Sequence, residues 1–547
     1  MAISRPVGLV LAGALLLAAF FRCWSLGATG FAEDEIDIAR AVGAYRHLDF
    51  SANAEHPMLA KLAAFGAVEG ASAWNSVADR ADVPRISPET AVRFPSALVG
   101  GVLTTLVIFL LCRELFPDIR IAAWASLLWA LDVNATGINR TAKEDTFFLF
   151  FLLAAAWLYA RAKRAGQHDV REAQRWYSAS AIGFGLMLAC KYMPHYYGLH
   201  ALFVRITDPR PADNRPARWR WHAAMVTAFC AANFALFLPS SWTRLSHYVA
   251  GQTPIHTGYM FAHSLYVNSI LVTPGGVPAS FYVTFLALKV PILVLSAFVA
   301  GTALMLRHHG DRGFVFARIF LVFFLVPYSL LGGKFVRYIL PLLAVVDILA
   351  AAGIVWMLDE MRRRAGSPDR RWLVPALTAL LVAAPLYAQL SARPFFSLSQ
   401  NALGRALASP GYMFADDEFN DVDVREAVAA IARVAQPGAA VESDATSVVE
   451  EYLREFGRPD LRAMSLSRDG FPHPLRETWI IAQDGHVYFE NRLMLEQLRR
   501  TMTPWGEWKA GGVVAVQVFA LFSPGHEAQN DHPDAGSRPA AIFVGPD

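Results

Sequence analysis

Cysteine is scarce, and the four present, Cys23, Cys112, Cys190 and Cys230, all lie in apolar runs without metal-site spacing. That argues against a disulfide framework and against a cysteine-based zinc site. Charge is scarce as well: only 17% of residues are Asp, Glu, Lys or Arg and the formal net charge is +3, so a nucleic-acid partner has no compositional support. What takes their place is apolar. Over 547 residues, 55% are hydrophobic and the mean hydropathy is +0.33, more apolar surface than a soluble fold buries, which makes the class a polytopic α-helical membrane protein embedded in a lipid bilayer.

Residues 1–21 carry Arg5 and then a nearly unbroken apolar run from Val7. A cleavable signal peptide, with Ala28-Thr29-Gly30 as its cleavage context, is one reading. An uncleaved anchor is expected instead, because many spans follow and removal would detach the acidic stretch behind it. Further apolar segments centre on 92–112, 119–135, 145–161, 177–192, 195–206, 221–239, 281–306, 314–332, 337–358 and 372–391. With the first they give roughly eleven spans, several of them shorter than the ~20 residues that cross hydrocarbon unaided. Residues 31–90 form a long loop whose amphipathic pieces near 33–47 and 57–71 suit helices lying in the interface plane.

Loop charge gives the orientation. Alternate connections hold Arg113 and Arg120; Arg161, Lys163, Arg164, Arg171 and Arg175; Arg205, Arg210, Arg215, Arg218 and Arg220; Arg307 and Arg312; and Arg362, Arg363, Arg364, Arg370 and Arg371. This positive-inside pattern puts the N-terminus on the cytoplasmic side. The loops with Asp34, Asp145, Lys191, His256 and Lys334 then share the outer face. So does everything after about residue 392, where the composition turns soluble. There 423–435, 446–456 and 488–500 read as helices and 439–443, 477–482 and 512–522 as strands, a small extracytoplasmic α/β domain. The expected division is 1–391 membrane domain, 392–523 soluble domain and 524–547 loose tail.

Four carboxylates, Glu33, Asp34, Glu35 and Asp37, fall within five positions just where the first span should reach water. They could be no more than an N-terminal cap and first turn for the helix that follows. Arg140-x-x-x-x-Asp145 precedes a later span on the same face, where a snorkelling arginine and a helix cap would also explain it. Lys191, Lys334 and Arg337 are cations at the outer boundary, against the positive-inside bias, and Lys289 lies deeper in a span.

Together, Asp34-Glu35, His56-Pro57-Met58-Leu59, Arg140 with Asp145, Lys191 in Ala189-Cys190-Lys191-Tyr192, His256-Thr257-Gly258-Tyr259, Lys289-Val290-Pro291 and the 334–341 segment resemble the polyprenyl-phosphate-sugar-dependent glycosyltransferases of the C-type membrane fold. That group includes protein O-mannosyltransferases and the transferases that place aminoarabinose on lipid A. Met58 replaces the usual second proline of the His-Pro motif, and Lys143-Glu144 adds charge to the second acidic loop.

The resemblance implies a C-type glycosyltransferase fold, a polyprenyl-phosphate-linked sugar donor and a glycan, lipid or protein acceptor. It also implies Asp34 as general base, with Glu35 its neighbour and Asp145 a second acid. Lys191, Lys334 and Arg337 would neutralise the donor phosphate, and His56, Arg140, His256, Tyr259, Lys289 and Tyr338 would contact substrate. No cofactor is expected. A divalent ion held by Glu, His56, His256 and His263 is conceivable but not favoured, because lysine and arginine can neutralise the phosphate. Composition and loop charge alone equally admit a transporter.

Overall fold

The computed structural model describes residues 4–193, 195–207, 218–249, 258–269, 274–364, 372–469 and 477–522. Among these residues six helices are long and apolar enough to cross a membrane, and a seventh span results if the bent pair Ile119–Leu131 and Val133–Asn139 counts as one. The roughly eleven apolar segments therefore do not all become single long helices. The 281–306 segment splits at Val290-Pro291 into Phe281–Lys289 and Ile292–Arg307, because proline lacks the N–H that the preceding turn needs. The 195–206 segment yields only Tyr196–Thr207, of 12 residues.

Helix Leu340–Arg364 is the central post, buried from Leu340 to Val355 and apolar there except for Asp347, with its charges gathered in the last turns. Glycine decides how closely Ile292–Arg307 can approach it. A Cβ on Gly301 would stand 1.8 Å from the Leu349 carbonyl oxygen, and one on Gly353 2.0 Å from that of Ala297. The two backbones touch where side chains are absent.

The membrane part has two chemically different ends. At one, Arg120 reaches Asp359 at 2.7 Å, Arg164 reaches Glu114 at 2.9 Å, and Phe116 meets Phe314 edge-on with ring centroids 5.5 Å apart. The basic connections at 113–120, 161–175, 307–312 and 359–364 thus gather together. The acidic stretch and its partners gather at the other end.

A bend of 60° at Asp132 builds that second end. The Asp132 carboxylate accepts hydrogen bonds from the Asn134 and Ala135 N–H groups at 2.8 and 3.1 Å, capping Val133–Asn139. The chain then turns through 140–143 into Glu144–Ala165. Helix Glu33–Arg46 lies against this turn, with three acids in its first turn, where the helix dipole favours them. The second amphipathic piece becomes Leu59–Ala81, longer than its apolar pattern suggests.

The C-terminal part forms a five-stranded sheet from β3 (Ala440–Glu442), β4 (Arg462–Met464), β5 (Glu477–Gln483), β6 (Gly506–Ala510) and β7 (Val513–Phe522), in the order β4-β3-β5-β7-β6. β3 runs parallel to β4 and β5, whereas β7 is antiparallel to β5 and β6. An outer hairpin, β1 (Gly258–Phe261) with β2 (Ser264–Val267), comes earlier in the chain. Helix Val424–Val434 buries Val424, Ala427, Val428 and Ile431, an i, i+3, i+4, i+7 face. That face belongs to a core shared with Phe31, Ile36, Val42 and Val92, so the acidic loop and the α/β unit pack as one body.

Candidate active site

Asp34 lines a cavity of about 670 Å³ together with Lys143, Lys289, Arg337, Asp417 and Glu418. Its Oδ2 is 2.8 Å from Lys143 Nζ and 2.8 Å from Arg337 Nη1. Both cations approach the same oxygen, and among the described residues Oδ1 accepts no hydrogen bond. Burial alone would raise the carboxyl pKa, but the charges of Arg337 and Lys143 outweigh it and hold Asp34 below the ordinary carboxylate range. Arg337 is steadied from behind, with its guanidinium 4.4 Å from the Phe335 ring centroid.

Glu35 is not in this cavity. It is fully buried and binds Arg93 through both oxygens, with Arg93 Nε 2.8 Å from Oε1. It also accepts the Ala32 and Ala142 N–H groups at 3.0 and 2.7 Å. Successive residues on a helix point about 100° apart, so one neighbour faces the cavity only by turning the other away. The expectation of Glu35 as a catalytic partner is corrected accordingly: it ties the acidic helix to Pro88–Ala97 and to the 142 turn.

Asp145 is buried and pairs with Lys191, whose ammonium lies 4.5 Å from the Tyr338 ring centroid. Neighbouring Glu144 lies 3.1 Å from His56 Nδ1. Asp145, Lys191, Tyr338 and His56 are thus brought into one network beside the cavity, although none of them is on its wall.

Two expected ligands are committed elsewhere. Lys334 is buried and donates to the carbonyls of Val277 and Leu331, and burial without a countercharge pushes it down to about 8. Its placement as a donor-phosphate ligand is corrected to a backbone tether. Arg140 donates to the carbonyls of Phe21, Arg22, Trp24 and Ser25, where the first helix leaves acceptors unsatisfied. It clamps that helix end and stands outside the Asp34 cavity.

Lys289 reaches the cavity wall as half of a buried pair with Glu418, and donates to the Ser397 carbonyl at 2.7 Å. Tyr259 is fully buried and donates its hydroxyl to Asp417, which also accepts the Val336 N–H at 3.0 Å. His256 lies outside the described residues. Among the described residues no group of three His, Cys, Asp or Glu side chains could hold a metal ion.

Lys143, Asp417 and Glu418 complete the cavity and are absent from the expected set. Lys143 stands out in the sequence only as surplus charge. Asp417 and Glu418 belong to a run of acids after residue 392, in a stretch whose composition reads as soluble. No local signal returns that run to the membrane boundary.

Residues 85–238 match the family model for dolichyl-phosphate-mannose-protein mannosyltransferases. No curated protein sequence is a match. Among solved structures, the chain is similar to ArnT from Cupriavidus metallidurans bound to undecaprenyl phosphate, at 14% identity and a TM-score of 0.51 over 95% of this chain and 98% of that one. To the apo state of the same protein the figures are 15%, 0.53, 94% and 97%.

Proposed function

The chain carries the C-type membrane fold of the polyprenyl-phosphate-dependent glycosyltransferases, and from that premise we propose that it moves a sugar from a polyprenyl-phosphate carrier to an acceptor hydroxyl at the outer face of the bacterial inner membrane. The observation that carries the reading is the single cavity in which one carboxylate, Asp34, is flanked at 2.8 Å by two cations, Lys143 and Arg337.

In this mechanism the acceptor oxygen attacks the anomeric carbon and gives its proton to Asp34 Oδ1. The bond from the anomeric carbon to the phosphate oxygen breaks, and polyprenyl phosphate leaves with the electron pair. Lys143 and Arg337 neutralise the phosphate as its charge grows. In the resting site those cations suppress the basicity of Asp34. A bound phosphate shares them, so the base strengthens when donor is present. The Tyr338 ring lies between Arg337, 5.7 Å from its centroid, and Lys191 of the Lys191–Asp145 pair, 4.5 Å from it. Undecaprenyl phosphate, which is bound in the C. metallidurans structure, is the carrier class that a polyprenyl-dependent enzyme of this kind would use.

The test is genetic and chemical. Deleting the gene should remove one envelope glycoconjugate from the mass spectrum, and wild type but not Asp34→Asn should restore it at equal membrane abundance. Full restoration by Asp34→Asn would overturn the assignment of the base.

A further inference from the structure

The Asp34 cavity does not end at its charged wall. Gly137, Thr141, Ser397 and Asn420 line both it and a second chamber of about 470 Å³. That chamber extends to Thr29, Gly30 and Phe395, just beyond the end of the first helix. The two spaces meet at a waist made of small and neutral polar residues.

The second chamber has arginine in its wall but offers little of it to an anion. Arg93 is committed to both oxygens of Glu35, to the carbonyls of Leu26, Thr29 and Gly30 and to the Thr29 hydroxyl. The terminal nitrogens of Arg140 are taken by four carbonyls, and its guanidinium lies 5.1 Å from the Phe396 ring centroid. A phosphate held here would lack the charge-assisted N–H groups that such anions recruit. The neutral groups are in the opposite condition. Thr141 and Asn420 make no side-chain hydrogen bond among the described residues, so a hydroxyl, an amide N–H pair and an amide oxygen stand open at the waist.

We infer that this second chamber is the acceptor subsite, and that it takes the end of an uncharged glycan rather than a phosphorylated lipid headgroup. The inference rests on the transferase reading above and adds the acceptor class to it. One sugar residue presents several hydroxyls in different directions, matching the open side chains of Thr141 and Asn420, the remaining acceptor capacity of the Ser397 hydroxyl, which donates to the Glu418 carbonyl, and the donor of the Thr29 hydroxyl, which accepts from Arg93, with Phe395 as an apolar wall. A bound glycan that extends one hydroxyl through the waist meets Asp34. That hydroxyl loses its proton to the carboxylate as its oxygen bonds to the anomeric carbon and the phosphate departs.

Binding to the full-length protein in nanodiscs tests this directly. The probes are undecaprenyl phosphate, a panel of neutral oligosaccharides, phosphorylated lipid A and a serine- and threonine-rich peptide. At least one neutral oligosaccharide should bind. Thr141→Val and Asn420→Ala should weaken it tenfold or more, and at least fivefold more than they weaken undecaprenyl phosphate. The inference is overturned if no neutral oligosaccharide binds, if the two substitutions leave its affinity unchanged, or if lipid A or the peptide is the probe they release. Failure of undecaprenyl phosphate to bind strikes the transferase reading itself, so the two failures are distinguishable. Asn420→Ser, which keeps a neutral polar group, should retain more affinity than Asn420→Ala in a protein of equal thermal stability.

Discussion

Asp34 and Glu35 are joined by one peptide bond and point into different worlds: Asp34 has 40% of its side chain exposed to the cavity, whereas Glu35 has none and is closed around Arg93. On the transferase reading, the division gives chemistry to one carboxylate and architecture to the other. Replacing each should therefore fail in a different way. Asp34→Asn keeps size and removes the proton acceptor, so turnover should fall about 100-fold or more, as loss of a general base predicts, while the melting temperature, lowered by the loss of the Lys143 and Arg337 pairs, should fall less than in Glu35→Ala. Single-turnover transfer measured beside a thermal melt checks it.

Glu35→Ala leaves Arg93 charged, buried and without its carboxylate. Breaking a buried pair by removing one partner costs about 3–5 kcal/mol, so the melting temperature should drop sharply and activity should be lost with it. A denaturation series on the purified protein reads this out.

Lys143 and Lys334 separate in the same manner. Lys143→Ala removes a cation from the cavity and should weaken undecaprenyl phosphate by about tenfold or more, the scale of one charge-assisted contact. Lys334→Ala removes a tether between the Val277 and Leu331 carbonyls and should lower stability while leaving carrier affinity near wild type. Titration of the lipid into each variant decides between them.

The buried Lys289–Glu418 pair links the membrane helices to the α/β unit. Lys289→Met or Glu418→Leu alone strands a charge and should destabilise by about 3–5 kcal/mol, whereas the double replacement should recover most of the loss. A double-mutant cycle in thermal or chemical denaturation measures the coupling.

Alkali should loosen the joint between the acidic helix and the sheet. His486 donates to Asp421 at 2.9 Å, and Asp421 accepts the Glu33 N–H at 2.7 Å. Burial opposes protonation of His486, but Asp421, Asp416 and Glu33 outweigh it and raise it to about 10. Burial pushes Glu33 up to about 8. Both folded pKa values lie above their unfolded ones, so both groups stabilise most when protonated and lose that contribution as pH rises through the folded values. The melting temperature should decline from about pH 4.5 to pH 8 through Glu33 and from about pH 6.5 to pH 10 through His486, and His486→Gln should flatten the upper part; melts across a pH series show it.

The sequence makes the membrane class legible because apolar run length is a direct physical requirement of the bilayer. It also exposes Asp34, Arg337, Lys191 and Asp145, since charges at a span boundary carry a cost that asks for a partner. It misassigns Glu35 because the direction of a side chain on a short helix depends on which face the rest of the fold covers. Arg140 and Lys334 deceive for a related reason. A cation beside a helix end reads alike whether it meets a ligand or a backbone carbonyl. The short strands β4 and β6 escape because three to five residues carry too little alternation to register. The 423–435, 446–456 and 512–522 elements, with strong periodicity, stand where the pattern puts them.

Asp417 and Glu418 close a chamber whose base lies near the start of the chain. A ribosome that has delivered every membrane helix has still not finished the reaction vessel; its last wall arrives with the acidic turn that follows them. Until that turn docks, the carboxylate, the cations and any carrier lipid share an open trough facing water. On the transferase reading, competence to react waits until the chain has been made past residue 418, and a shorter copy lacks one wall of the space in which a sugar would be transferred.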